Sequence, residues 1–192
     1  MERTGMVEDA IEEASKYDLL EKARFNSLSG AITADDHGAV SKLLTLAENA
    51  DDSEFRTVLQ RVRSVDADAG CPVVGLTGTG GAGKSSLTDE LMLRIQRDNP
   101  GAKIALLATD PTRKGTGGAL LGDRIRMNSL ADDNLFMRSF ASRASGREIA
   151  DGIGMAIEAC QAVGFDLILV ETSGIGQGND AITEVADLSV YV

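Results

Sequence analysis

Short apolar runs alternate with longer stretches in which apolar residues recur every three or four positions, and that alternation lays out the chain. Residues 72–77, 103–109, 134–140 and 165–170 are the short runs, mostly apolar, and predict buried strands. Helical spacing covers residues 85–97 and 146–163, the latter with Ile149, Ile153, Ala156, Ile157 and Cys160 on one face and Gly164 to close it. A short helix over 181–186 and a strand from Leu188 follow. Strands alternating with helices predict an α/β fold, a mostly parallel sheet with flanking helices. Ahead of it, residues 7–65 are highly charged, with apolar residues at helical spacing: Val40, Leu43, Leu44 and Ala47, then Phe55, Val58, Leu59 and Val62. Asp51-Asp52-Ser53 before Glu54 marks a helix start, and Ala67-Asp68-Ala69-Gly70 a hinge. The expected division is a helical linker over 1–70 and an α/β domain over 71–192.

The turn after the first strand is Gly78-Thr79-Gly80-Gly81-Ala82-Gly83-Lys84-Ser85, which fits G-x-x-x-x-G-K-[ST] at every required position. Glycines at this spacing let the backbone N–H groups of residues 78–83 turn inward around phosphates. The Lys84 ammonium can then reach the β and γ oxygens, and the Ser85 hydroxyl can hold Mg²⁺. With a strand before and a helix after, the domain reads as a P-loop NTPase.

Two strands end in acids. Ligands of open α/β sheets sit beyond the carboxyl ends of the strands, which places Asp110 to meet the nucleotide, its Mg²⁺ or the attacking water. The competing reading of Asp110 is a turn aspartate before Pro111. Glu171 ends the fourth strand where P-loop NTPases keep the group that orients Mg²⁺, and Gly174 can sense the γ-phosphate through its N–H. Asp110 and Glu171 thus suggest adjacent parallel strands feeding one metal site. Residues 111–122, glycine-rich and carrying Arg113 and Lys114, read as a segment ordered by a phosphate or a partner, and residues 174–178 as a switch. Asp123, which closes the 111–122 segment, reads as a site acid, with a solvated helix start as the competing reading.

A formal net charge of −11 disfavours nucleic acid as a main partner. No apolar run approaches a membrane span and the N-terminus is acidic, so a cytoplasmic protein is expected. Cys71 and Cys160 lack metal-type spacing and read as reduced thiols. The lone histidine, His37, fails the corrinoid-ligand pattern Asp-x-His-x-x-Gly because Val40 fills the glycine position; it reads as a solvent-exposed turn or helix-start residue.

Longer runs are more specific. Gly75 through Ser86, Asp110-Pro111-Thr112-Arg113, Thr116-Gly117-Gly118-Ala119-Leu120-Leu121-Gly122-Asp123-Arg124, Phe136-Met137-Arg138-Ser139 and Glu171-Thr172-Ser173-Gly174-Ile175-Gly176-Gln177 resemble the G-protein chaperones of adenosylcobalamin-dependent acyl-CoA mutases. They look closer to the G-domain fused inside isobutyryl-CoA mutase than to the stand-alone chaperone. The resemblance implies a Mg²⁺·GTP site with Ser85, Asp110, Asp123 and Glu171 around the metal, and Lys84, Asp110 and Glu171 in catalysis. It implies Gly78, Gly80, Gly81, Ala82, Gly83, Lys84, Ser85, Ser86 and Gly174 around the nucleotide. It also implies nucleotide-dependent gating of adenosylcobalamin loading and protection of a mutase, the cobalamin being held by a partner or by further domains. The family's guanine-reading Asn-Lys-x-Asp motif is not among the 192 residues, so nothing in them separates GTP from ATP, and the chain reads as a fragment of a larger protein.

In-line attack of water on GTP is the expected reaction. Ile175 directly follows Gly174, where many small GTPases carry a water-orienting glutamine, so intrinsic turnover is expected to be slow unless Arg113, Lys114 or Arg124 is rearranged by a partner. Two other readings stand beside it: a non-catalytic nucleotide-sensing interaction module or inactive fragment, open to dimerisation through its last strand, and a nickel-enzyme metallochaperone GTPase.

Overall fold

The computed structural model describes residues 28, 30–64, 70–111, 127, 129, 132–142, 152–174 and 180–192. Five parallel strands form one sheet: β1 (Val73–Thr77), β2 (Ile104–Pro111), β3 (Leu135–Ser142), β4 (Leu167–Glu171) and β5 (Leu188–Tyr191), in the order β3-β2-β4-β1-β5. A parallel strand covered on both faces must be apolar at successive positions rather than alternate ones. In β2, Ala105 and Leu107 enter the core on one face, while Ile104, Leu106 and Ala108 enter it on the other. β4 divides the same way, with Ile168 and Val170 against Leu169.

One face is covered by α1 (His37–Asn49), α2 (Asp52–Val62) and α4 (Ile153–Val163), and the other by α3 (Lys84–Asp98). A short α5 (Asp180–Thr183) sends Ile182 into the first of these cores. The α/β architecture expected from the apolar runs is therefore the one observed.

The two N-terminal helices begin where their caps require. Asp36 and Asp51 each accept a backbone N–H three residues on, from Ala39 and Glu54, both at 2.9 Å. The Glu54 N–H holds the Asp51 carboxyl below the usual carboxylate range. Val40, Leu43, Leu44 and Ala47 form the buried stripe of α1, and Phe55, Val58 and Val62 that of α2. These side chains share one core with Phe136 of β3, Ala156 of α4 and Ile168 of β4, so the described helices of the stretch read as a linker, α1 and α2, pack as a layer on the sheet. Polar ties follow its edges: Arg138 of β3 reaches Thr45 and Glu48 of α1, and the Ser64 N–H donates to the Ala162 carbonyl at 2.8 Å. His37 opens α1, as expected, but is half-buried rather than solvent-exposed, because its ring packs edge-on to Phe136 at 5.3 Å.

Helix α4 is described from Ile153, and residues 146–151 of the expected helix lie outside the described residues. Its N-cap Gly152 has a φ of 85°, and a Cβ there would lie 2.8 Å from the Ala47 carbonyl oxygen of α1, so close packing against α1 sets the helix start. Cys71 and Cys160 are both free and buried, and burial pushes the Cys160 thiol well above its usual range.

Because α1 is part of the shared core, Leu44→Ala should cost about 2–5 kcal/mol. Urea unfolding followed by circular dichroism should show one cooperative transition at a lower midpoint; an unchanged midpoint would remove α1 from the domain's core.

Candidate functional site: the phosphate loop and the end of the central strand

The chain leaves β1 at the carboxyl edge of the sheet, turns through residues 78–83 and enters α3 at Lys84. Gly78 is buried, whereas residues 79–83 form an exposed crown closed by the Ala82 N–H donating to the Thr79 carbonyl at 3.2 Å. Gly78, Gly81 and Gly83 take φ values of 141°, 82° and 96°, a conformation that favours glycine. Gly83 caps α3 without a side-chain hydrogen bond, and no acid lies in the first turn. The free N–H groups and the positive end of the helix dipole therefore face the crown, a ready anion site. Ser86 is exposed in that first turn.

Lys84 is only 7% exposed, with its side chain folded back under the loop. Nζ donates to the carbonyl oxygens of Gly78 and Thr79, each at 3.0 Å. Gly80 lies beside residue 174, since a Cβ on it would stand 3.5 Å from the Gly174 carbonyl oxygen.

Parallel pairing fixes the opposite wall. Glu171 pairs in register with Leu76 of β1 and with Ala108 of β2, so β4 ends level with the start of the loop. The residue is 7% exposed, and Ser85 Oγ donates to its Oε1 at 2.6 Å. Thr88, one turn farther along α3 and fully buried, has Oγ1 at 3.1 Å from Oε2 of the same carboxylate. Beyond Glu171, the Thr172 N–H donates to the Leu76 carbonyl at 3.0 Å and its hydroxyl to Thr77 Oγ1 at 3.2 Å. These bonds lay Gly174 against the loop: a Cβ there would sit 2.5 Å from Lys84 Nζ and 3.1 Å from both the Gly78 oxygen and the Gly80 nitrogen. With a φ of 70° as well, this position admits glycine. Ser173 Oγ next to it is buried without a partner among the described residues, the kind of orphan that a ligand or water satisfies.

The expectation that the strands ending in Asp110 and Glu171 lie side by side holds, since β2 pairs directly with β4. Asp110 itself lies two residues past the Ala108–Glu171 pair, at the carboxyl end of β2, with its side chain outside the described part. Asp123, Arg113, Lys114, Arg124, Ile175 and Gln177 also lie outside the described residues. Thr88 was not anticipated from the sequence. Its signal was a hydroxyl residue three positions after Ser85, on the inward stripe that continues through Leu91, Met92 and Ile95.

Among the described residues, no group of three or more His, Cys, Asp or Glu is placed to hold a metal ion. Mg²⁺ is usually bound by one or two protein oxygens together with water and substrate phosphates. Ser85 spends its proton on Glu171, so the lone pairs of Oγ stay available to a hard cation while the carboxylate stands directly behind. The donor set fits the ion.

A sequence profile described as methylmalonyl-CoA mutase-associated GTPase MeaB matches residues 40–192. The chain belongs to the MeaB family. The MeaB match begins at Val40, inside α1, and so takes in the helical layer as well as the sheet. Two proteins named fused isobutyryl-CoA mutase are similar. The one from Geobacillus kaustophilus (strain HTA426) is 50% identical over 161 residues, covering 80% of this chain and 15% of that protein. The one from Nocardia farcinica (strain IFM 10152) is 46% identical over 167 residues, covering 84% and 15% respectively. The Caenorhabditis elegans protein named methylmalonic aciduria type A homolog, mitochondrial, is 34% identical over 116 residues, covering 60% and 29%. The chain thus spans about a seventh of the length of the fused mutases it matches.

Gly174→Ala would force a left-handed alanine and press its methyl against Lys84, at a cost of about 1–3 kcal/mol. Thermal melts should show a lower midpoint and no further stabilisation by Mg²⁺ with GTP. A variant that melts like the parent and responds equally to nucleotide would contradict the packing of residue 174 on the loop.

Proposed function

We propose that the chain binds GTP with Mg²⁺ and hydrolyses it, and that its nucleotide state gates the loading of adenosylcobalamin into an acyl-CoA mutase of the isobutyryl-CoA or methylmalonyl-CoA type and protects that enzyme. The observation that supports the nucleotide reading is the 2.6 Å bond from Ser85 to Glu171 at the uncapped start of α3, a hydroxyl–carboxylate pair of the kind that meets phosphate-bound cations. The mutase part rests on family membership and on the printed names of the relatives.

In this reading residues 71–192 carry the nucleotide and residues 1–70 join them to a cobalamin-binding partner, fused or separate. The backbone N–H groups of Gly78, Gly80, Gly81, Ala82 and Gly83, with those of Ser85 and Ser86 at the helix start, take the phosphate oxygens. Lys84 leaves the carbonyls of Gly78 and Thr79 for the β and γ oxygens, where its charge offsets what develops as water attacks in line and the bond from the γ-phosphorus to its bridging oxygen breaks. Ser85, Asp110, Asp123 and Glu171 would hold Mg²⁺ or its waters, and Mg²⁺ when bound neutralises phosphate charge. Gly174 offers its N–H to the γ-phosphate, so the segment after it reports whether that group is present. The setting we favour is the cytoplasm; no helix among the described residues is long and apolar enough to cross a membrane.

Lys84→Ala tests the assignment. Steady-state release of phosphate from GTP in Mg²⁺ should fall by about 10²-fold or more, as for loss of one preorganised charge-stabilising donor. Turnover equal to that of the unaltered chain would sink the GTPase reading.

A further inference from the structure

Thr88 is fully buried on the inner face of α3, where its neighbours along the stripe, Leu91, Met92 and Ile95, are apolar. A hydroxyl in such a place costs free energy unless it is partnered. Oγ1 has two acceptors within reach, the Lys84 carbonyl at 2.9 Å and Glu171 Oε2 at 3.1 Å, but only one proton to give. The Lys84 carbonyl lies four residues back along α3, where the helix's own ladder brings it the Thr88 N–H. Glu171 is a buried carboxylate, and hydrogen bonds to a charged acceptor are roughly twice as strong as those between neutral groups. The carboxylate is the acceptor that gains more.

We infer that Thr88 is a positioning residue for Glu171: with Ser85 it grips both carboxylate oxygens from two successive turns of α3 and sets the plane of the carboxylate against Ser85 Oγ. Ser85 and Thr88 are three residues apart, so they stand one above the other on the same helix face. The Ser85 bond locates one of the two carboxylate oxygens. With the second hydroxyl in place, both oxygens are located. The consequence is selective. The hydrogen bonds of Thr88 Oγ1 run to Glu171 and to the Lys84 carbonyl, an acceptor already inside the helix ladder and not one of the N–H groups that face the crown, so its hydroxyl should matter to the divalent cation and not to phosphate binding as such. This inference rests on the Mg²⁺–nucleotide reading above.

The experiment uses the whole 192-residue chain, a fluorescent non-hydrolysable GTP analogue, and Mg²⁺ titrated from chelated, metal-free solution. Thr88→Val removes the hydroxyl at nearly constant shape, and Thr88→Ser restores it. In Thr88→Val the Mg²⁺ concentration at half-effect should rise by about 10- to 100-fold, the usual loss when an outer partner of a metal site is removed. Thr88→Ser should return it to the parent value, and analogue affinity without Mg²⁺ should be equal in all three proteins. If Thr88→Val lacks the parent's circular dichroism, Thr88→Ala takes its place in the same comparison. An unshifted Mg²⁺ midpoint in the hydroxyl-free variant overturns the inference while leaving the nucleotide reading intact. So does a loss of analogue affinity that is as large without Mg²⁺ as with it, since that marks a merely structural threonine. Failure of the unaltered chain to show any Mg²⁺-dependent binding overturns both.

Discussion

Glu171 carries a charge to the end of the central strand, where only 7% of the residue stays exposed, and hydroxyls from α3 meet it there. A buried carboxylate without donors would cost several kcal/mol or give up its charge. That requirement fixes much of the molecule. The start of α3 must lie beside the end of β4, so the β1–α3 connection must be a tight loop over the sheet edge, and β1 must be the direct neighbour of β4. The loop built under those constraints has an exposed crown of backbone N–H groups and a lysine tucked beneath it. Its anion-binding character follows from the packing as much as from the glycines.

The helical layer on the opposite face solves a different problem. A parallel sheet exposes two apolar faces, and α4 by itself does not cover the side that holds Phe136, Phe140 and Ile168. The buried stripes of α1 and α2 supply the rest. Their surface ion pairs, such as Arg56 with Glu158, are half exposed and add little, so apolar burial does most of the holding. A preceding segment attached through such a layer is coupled to the sheet rather than tethered to it.

Much of this was legible in the sequence because the local signals agree with the global fold. Apolar runs gave the strands, and the glycine-lysine-serine spacing gave the loop. The adjacency of the strands ending in Asp110 and Glu171 was legible as well. Three features were not. The packing of α1 and α2 on the sheet escaped because helical spacing shows that a face is apolar and not what it faces. The start of α4 was misplaced because Gly152 interrupts the pattern for a tertiary reason, the close approach of Ala47. Thr88 went unnoticed because a lone threonine in an apolar stripe declares its partner only when β4 is set against α3.

The most direct measurement is a crystal structure of the chain with Mg²⁺ and a non-hydrolysable GTP analogue. The account predicts Ser85 Oγ on the cation at about 2.0–2.1 Å. Lys84 Nζ should have moved from the Gly78 and Thr79 carbonyls to the phosphates, and Glu171 should still take the Ser85 proton. Nucleotide bound away from residues 78–86, or Lys84 still on those two carbonyls with phosphate in the loop, would contradict it.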